Sequence, residues 1–257
     1  MAKNSAIQWT ESTWNPWMGC RKVSPGCKYC YMFRDMDKYG MQPRVVSRSK
    51  TRFDAPLKWK EPRTIFTCSW SDFFIEEADQ WRADAWQIVK ATPQHTYQIL
   101  TKRPERIEAC LPEDWGAGGY SHVWLGVTVE DNGRMHRLEP LSRIDCAVRF
   151  ASFEPLLERI DVTPYAHPIR LLDWAIIGGE SGNDTGTYRY RECSLDWLTE
   201  LADELKRRGV SVFVKQLGTH IAKQIGLKNR HGGDIAEFPK ELQLRSMPDR
   251  KDQLFSL

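Results

Sequence analysis

The sequence predicts an α/β fold built as a parallel barrel, whole or partial, because short apolar runs alternate with helical stretches. Six of these runs are rich in β-branched and aromatic residues, as buried parallel strands are. They occupy residues 64–68, 96–100, 122–129, 147–153, 172–177 and 211–214. Strands that alternate with helices are typical of parallel β/α units, and six or seven such units favour a barrel over a small open sheet.

Three stretches between these runs carry helical signals. Residues 76–91 repeat apolar side chains at helical spacing. Residues 194–208 begin with Ser194, which can cap a helix, and are followed by Gly209 as a stop signal. Residues 103–110 carry a proline in the first turn, where a helix tolerates it.

The bulk composition predicts a globular cytoplasmic protein. The chain has 257 residues, of which 41% are hydrophobic and 28% charged. No apolar run is long enough to span a bilayer, and the N-terminus lacks the apolar region of a signal peptide, so we expect no membrane association. We predict a barrel domain over residues 1–217 and a C-terminal extension over 218–257 that packs on it, because the rhythm of strands and helices breaks there.

Charge is uneven along the chain although the net charge is only +3. Residues 44–63 contain seven Lys and Arg residues against Asp54 and Glu61. Such a segment is either a solvated basic face or a phosphate-binding surface, and the sequence leaves both open.

Polar or charged residues follow each predicted strand. In parallel β/α folds, chemistry gathers where the strands end, so these residues are predicted to form the rim of one site. The candidates are Ser69, Ser71, Asp72, Thr101, Lys102, Arg103, Glu130, Glu154, Glu180 and Lys215. For the glutamates, capping of the following helix is an equal alternative. For Lys102 and Arg103, which are candidates to hold a carboxylate or phosphate, the alternative is a surface salt bridge.

Three of the seven cysteines stand close together, as Cys20, Cys27 and Cys30 in the pattern C-x6-C-x2-C. We call residues 20–30 the cysteine loop. Thiolates bind soft metals, and three of them fit a four-iron cluster with one iron left open. A zinc loop with a distant fourth ligand is the alternative. Tyr29 favours the cluster, because an aromatic ring there can pack near the adenine of a bound S-adenosylmethionine (SAM). The other cysteines, Cys68, Cys110, Cys146 and Cys193, are predicted to be small buried hydrophobes.

The string QWTESTWNPWMGCRKVSPGCKYCY resembles the phage and bacterial three-Cys-motif proteins, which are related to the spore-photoproduct-lyase branch of radical SAM enzymes. The cysteine loop is similar to the radical SAM motif, with the longer first gap that is typical of this group. Further similar segments are 96–107, 123–131, 149–157, 173–182, 213–218 and 233–239, so that the resemblance covers about residues 6–218. It implies a partial (β/α)6-type parallel barrel, the radical SAM core.

The resemblance implies a role for each candidate residue. Cys20, Cys27 and Cys30 would hold a 4Fe-4S cluster whose open iron binds SAM. SAM contacts are expected from Tyr29, Ser69, Ser71, Asp72, Thr101, Lys102, Glu130, Glu154 and Glu180, and substrate contacts from Arg103 and Lys215. Ser69 corresponds to the donor cysteine of the lyase, which argues against lyase-type chemistry. Cys68 is expected to point toward the helices as a core residue.

The implied reaction starts when a reductant such as flavodoxin or ferredoxin delivers one electron to the cluster. SAM is then cleaved, and the resulting 5′-deoxyadenosyl radical abstracts hydrogen from a substrate, for which a nucleic-acid base or nucleoside is our hypothesis. One alternative is a zinc-binding nucleic-acid module, which would explain the cysteines, the eleven tryptophans and the basic segment. Another is a barrel hydrolase that uses the glutamates, with structural cysteines.

Overall fold

Seven parallel strands form one sheet whose order follows the chain in the computed structural model, which describes residues 4–248. The strands are β1 (Ser12–Trp14), β2 (Trp17–Met18), β3 (Ser47–Arg48), β4 (Thr64–Thr67), β5 (Thr96–Thr101), β6 (Val123–Thr128), β7 (Val148–Phe153), β8 (Trp174–Gly178) and β9 (Ser211–Gln216). The sheet order is β1-β4-β5-β6-β7-β8-β9, while β2 and β3 form a separate antiparallel pair. Sequential parallel strands with right-handed crossovers place their helices on one face, so the sheet curls into a partial barrel.

The helices lie between the strands, as the sequence predicts. They are α1 (Tyr31–Lys38), α2 (Asp79–Ala91), α3 (Ile107–Cys110), α4 (Leu138–Ser142), α5 (Ala166–Arg170), α6 (Leu195–Arg207) and α7 (Thr219–Gln224). The predicted helices 76–91 and 103–110 each begin with a 3₁₀ turn before α2 and α3 start. Ser194 caps α6, since its hydroxyl accepts a hydrogen bond from the N–H of Asp196 at 3.2 Å.

All six predicted strands are present, and the predicted fold class, α/β with a partial parallel barrel, is confirmed. The structure adds a seventh strand, β1, which pairs with β4 and precedes β2 and the cysteine loop. Its three residues are all buried, but a three-residue strand is too short to show a periodic pattern in sequence.

Aromatic side chains fill the interior of the barrel. Alternate residues of a strand share a face, and the inward face of the sheet carries one aromatic cluster, while the outward face packs against the helices. The cluster comprises Trp9, Phe66, Trp124, Phe150, Trp174 and Phe213. It closes the barrel below the carboxyl ends of the strands.

Gly126 makes room for this aromatic layer. A Cβ atom on Gly126 would lie 2.5 Å from the ring of Phe150 on the neighbouring strand. We therefore expect Gly126→Ala to lower the free energy of unfolding by about 1–3 kcal/mol, because the packed ring has no space to retreat. Chemical denaturation measures the change. Gly133→Ala, where the nearest atom is the carboxylate oxygen of Asp131 at 3.2 Å, serves as the control. Equal losses in both variants would contradict this account of the barrel interior.

Residues 218–248 pack along the free edge of β9. The N–H of Val214 donates to the carbonyl of Leu244 at 2.8 Å, and Trp174 donates through its indole to the carbonyl of Ser246 at 2.9 Å. Leu242 is fully buried. The division into a domain 1–217 and an extension 218–257 stays a prediction, and residues 249–257 of it lie outside the described part. Within residues 4–248, every helix is too short or too polar to cross a bilayer.

Candidate functional site

A cavity of about 560 Å³ lies at the carboxyl ends of the parallel strands. The cysteine loop and α1 form one wall, the ends of β4 to β9 form most of the rest, and residues 6–9 and His231 complete the lining. Most of the residues that the sequence assigns to the site line this cavity. They are Cys20, Cys27, Cys30, Tyr29, Ser69, Ser71, Asp72, Thr101, Lys102, Arg103, Glu154, Glu180 and Lys215. The fold thus brings together residues that are spread over almost 200 positions of the sequence.

The three thiols of the cysteine loop face this cavity, and none forms a disulfide. Burial raises the pKa of Cys20 to about 12, with the Asp72 carboxylate adding to the shift and Arg103 opposing it. Burial likewise raises the pKa of the Cys30 thiol. Cys20 and Cys30 are therefore neutral thiols in the metal-free loop. A soft metal would supply the positive charge that converts them to thiolates.

Three thiols form the donor set that faces the cavity, and thiolates are the ligands that soft metals and iron–sulfur clusters prefer. Within residues 4–248, no three His, Cys, Asp or Glu side chains converge as ligands of a single metal ion. Cys68, at the end of β4, is a further thiol on the cavity wall, and it is almost fully buried.

An ion pair at the end of β4 holds the start of the cysteine loop. The buried carboxylate of Asp72 accepts from the hydroxyl of Thr101 at 2.6 Å and from the guanidinium of Arg103 at 3.1 Å. Arg103 also donates to the carbonyl of Arg21 at 3.3 Å, and Arg21 directly follows Cys20 in the chain. Thr101 and Arg103 therefore orient Asp72, and Arg103 fixes the backbone beside the first thiol.

Glu130, after β6, holds the middle of the loop. Its carboxylate accepts from the hydroxyl of Ser24 and from Arg137 at 2.8 Å, and Lys102 lies 3.5 Å away. Burial raises the pKa of Glu130, but the two cations and the Ser24 hydroxyl outweigh burial and hold the pKa below its ordinary value. Gly26 presses against this carboxylate so closely that any Cβ would overlap it.

Glu180, after β8, is linked to the cysteine loop through Arg191. The two side chains form a bidentate pair, with Nη2 to Oε1 at 2.5 Å and Nε to Oε2 at 2.8 Å. Arg191 then donates to the carbonyl of Pro25 at 3.0 Å, and its guanidinium lies 5.4 Å from the ring centre of Tyr29. Such paired, stacked guanidinium groups fix geometry well.

A second set of polar groups remains directed into the cavity. Lys215 on β9 donates to Glu154 after β7 at 2.5 Å, and both side chains lie on the cavity wall. Thr128 and Ser152 add hydroxyl groups beside them. Among the described residues, these four side chains form no hydrogen bond with the cysteine loop. They can therefore form hydrogen bonds with a molecule bound in the cavity.

The end of β4 departs from the predicted alternation. Cys68 has a φ of +63°, unusual for a residue other than glycine, and this turn directs Cys68, Ser69 and Ser71 all toward the cavity. Cys68 packs in the core cluster between the sheet and the helices, as predicted, and it also lines the cavity. Ser71 donates to the carbonyl of Gly19 at 2.6 Å, and Asn15 pairs with Ser69.

Sequence reasoning missed several residues of the site. His231, from the C-terminal extension, lies on the cavity wall and its ring contacts Thr219 at 3.1 Å. Burial, together with Arg230 and Arg34, lowers the pKa of His231. Tyr31 and Arg34 of α1 also line the cavity. The helix begins directly after Cys30, so its first residues must lie beside the loop, which the sequence could have indicated.

Comparisons with known proteins give a family and a distant structural match. Among curated proteins no match was found. Among solved structures, a mutant of spore photoproduct lyase with bound AdoMet and a dinucleoside spore photoproduct matches at a TM-score of 0.44 and 13% identity. The match covers 87% of this chain, which spans 63% of the length of that protein.

A family model described as "Protein of unknown function (DUF5131)" matches residues 4–250. This match includes β1, the cysteine loop, all the strand ends that form the cavity and the extension that carries His231. Since the match spans nearly all of the 257 residues, the chain belongs to the DUF5131 family.

Proposed function

We propose that this protein is a radical SAM enzyme, and that it belongs among the three-Cys-motif proteins it resembles. The observation that carries the proposal is the position of the three thiols of the cysteine loop. They face a cavity at the carboxyl ends of a parallel partial barrel, where polar strand ends converge. In this proposal Cys20, Cys27 and Cys30 hold a 4Fe-4S cluster.

When bound, such a cluster supplies the electron that cleaves SAM reductively and so starts hydrogen abstraction from a substrate. The protein supports this chemistry by holding the loop at three points, the carbonyl of Arg21, the hydroxyl of Ser24 and the carbonyl of Pro25. The charged side chains at the strand ends fix the loop, and the loop in turn keeps its thiols in a constant position facing the cavity. The aromatic layer below closes the bottom of the cavity, so a bound molecule is held against the polar strand ends and the cysteine loop.

Glu154 and Lys215 are the groups that we assign to the bound molecules. Glu154 offers a carboxylate oxygen to ribose hydroxyls or to the SAM amino group, and Lys215 offers an ammonium group to a substrate anion or carbonyl. Ser69, Ser71, Asp72, Thr101, Lys102 and Glu180 complete the proposed SAM contacts, although most of these also support the loop. The sequence also predicts a SAM contact for Glu130, but its side-chain hydrogen bonds among the described residues are with Ser24 of the loop and with Arg137.

The test of the proposal is anaerobic incubation of the reconstituted protein with SAM and dithionite. We expect 5′-deoxyadenosine and methionine to form in equal amounts, and none to form without reductant. Repeating the incubation with DNA, RNA and nucleosides then tests the proposed substrate class, by transfer of deuterium from labelled substrate into 5′-deoxyadenosine. A protein that carries its full complement of iron and sulfide but produces no 5′-deoxyadenosine would refute the proposal.

Glu154→Gln tests the assigned cavity group directly. The amide keeps the size of the side chain but removes the charge that pairs with Lys215 at 2.5 Å. We expect the dissociation constant for SAM, measured by equilibrium dialysis on the reconstituted protein, to rise by about tenfold, or about 1.4 kcal/mol. Glu139→Gln, on the exposed side of α4, is the matched control. Unchanged SAM affinity in Glu154→Gln would remove this residue from the proposed binding site.

A further inference from the structure

Residues 38–52 form a basic surface segment, here called the basic ribbon. The segment contains five Lys and Arg residues and no Asp or Glu. They are Lys38, Arg44, Arg48, Lys50 and Arg52. All five belong to exposed residues, although Arg48 pairs with Asp84 at 3.5 Å and stacks on the ring of Phe53. In the described part of the chain, neither Arg44 nor Lys50 forms an ion pair, and the positive potential of the ribbon is correspondingly open to a partner.

The basic ribbon also exposes apolar side chains in the middle of this charge. Tyr39 is 67% exposed, Val45 53% and Met41 36%. Single exposed apolar residues are ordinary, but three within seven positions, surrounded by cations, have the composition of a protein-binding surface. Nucleic-acid-binding surfaces are more polar than this.

The basic ribbon lies directly against the start of the cysteine loop. β3, within the ribbon, pairs with β2, which leads into the loop. The N–H of Cys20 donates to the carbonyl of Pro43 at 2.8 Å. Gly19 has a φ of +96° and packs against the carbonyl of Val45 so tightly that a Cβ would overlap it. A partner seated on the ribbon is therefore separated from Cys20 by a single layer of backbone.

The basic ribbon does not line the cavity. Among the described residues, those that line the cavity include Arg34 of α1 but no residue of the ribbon. The charge of the ribbon thus serves a molecule that approaches the metal centre from outside the cavity.

We propose that the basic ribbon is the docking surface for a small acidic one-electron carrier protein. This proposal rests on the proposed function, because it needs an iron–sulfur cluster at Cys20, Cys27 and Cys30. One electron passes from the reduced carrier to the oxidised cluster, so the carrier loses one electron and the cluster gains one, and no bond forms or breaks in this step. The short path through Pro43 and Cys20 favours this route, since electron transfer slows steeply with distance.

The double charge reversal Arg44→Glu plus Lys50→Glu tests the docking surface. Binding of a purified acidic flavodoxin is measured by calorimetry at low and at high salt, on the reconstituted protein. The production of 5′-deoxyadenosine is measured in parallel with two reductants, the reduced flavodoxin and dithionite. The control is Arg170→Glu, an exposed residue on α5 at the outer side of the barrel.

We expect the double variant to bind flavodoxin at least tenfold more weakly at low salt, while Arg170→Glu binds like the original protein. High salt should weaken the binding of the original protein and reduce the difference between the variants. Turnover of the double variant should fall with flavodoxin and stay unchanged with dithionite.

The proposal is overturned if the double variant binds flavodoxin as well as the control does, or if it loses turnover equally with both reductants. Loss of binding to DNA or RNA with unchanged flavodoxin binding would also overturn it, and would identify the ribbon as a nucleic-acid surface. Absence of 5′-deoxyadenosine from the original protein with dithionite contradicts the proposed function instead, and the calorimetry still decides whether the ribbon binds the carrier.

Discussion

Cys27→Ala is expected to abolish incorporation of the iron–sulfur cluster, whereas Cys68→Ala is expected to retain it. Both thiols lie on the cavity wall, but only Cys27 belongs to the cysteine loop. A cluster held by three thiolates cannot lose one without losing an anchor for one of its irons. Iron and sulfide content after anaerobic reconstitution, together with the visible absorption spectrum, measures the outcome.

The Cys68→Ala variant makes this comparison specific. Among the described residues that line the cavity, Cys68 is the one cysteine outside the loop, so it is the candidate for a fourth ligand that would close the metal site. A cluster lost equally in both variants would indicate four thiolate ligands and no open iron. Retention of the full cluster in Cys27→Ala would contradict the assignment of the loop. Circular dichroism of both metal-free variants checks that the fold is intact.

Glu130→Ala is expected to lower the free energy of unfolding by about 3–5 kcal/mol, because it leaves the charge of Arg137 buried and uncompensated. Arg137 is almost fully buried and donates to Glu130 at 2.8 Å. The same change frees Ser24, so the cysteine loop loses its central contact. Urea denaturation of the metal-free protein measures the loss. Glu130→Gln, which keeps a hydrogen-bond acceptor for Ser24, should lose less.

The stabilisation by Glu130 should also depend on pH. The pKa of Glu130 in the folded protein lies below its ordinary value of 4.5, so the folded state favours the ionised carboxylate. The contribution is therefore fully present above that value and is lost as the pH falls through the folded-state pKa. The difference in stability between the original protein and Glu130→Gln should be constant near neutral pH and shrink below pH 4.5. A difference that grows in acid would refute this charge pairing. Glu139→Gln, at an exposed position, should show no such dependence.

The sequence predicts the strands better than the contacts between them. Apolar runs identify β4 to β9, because buried parallel strands are apolar throughout. β1 escapes notice since its sequence Ser-Thr-Trp has no run to detect, and its burial comes from pairing with β4. The spacing of the cysteine loop predicts a site for a soft metal, because a C-x-x-C turn lets two thiolates bind one centre, but spacing alone does not distinguish an iron–sulfur cluster from zinc.

The roles of the strand-end carboxylates are hidden from the sequence for a different reason. Glu130 contacts Ser24 across 106 positions, and Arg191 joins Glu180 to Pro25 across 166. Position at a strand end predicts that such groups meet at one rim, but it does not distinguish a group that holds the loop from one that faces the ligand. His231 is missed because it follows the last strand, in a segment without periodicity.

The electron paramagnetic resonance spectrum of the reduced protein, recorded with and without SAM, reports whether an open iron binds SAM. With three thiolates from the cysteine loop and one open iron, we expect an iron–sulfur signal whose g-values shift when SAM binds. A signal that SAM leaves unchanged, or a fully metallated protein that contains zinc and no iron, would contradict it.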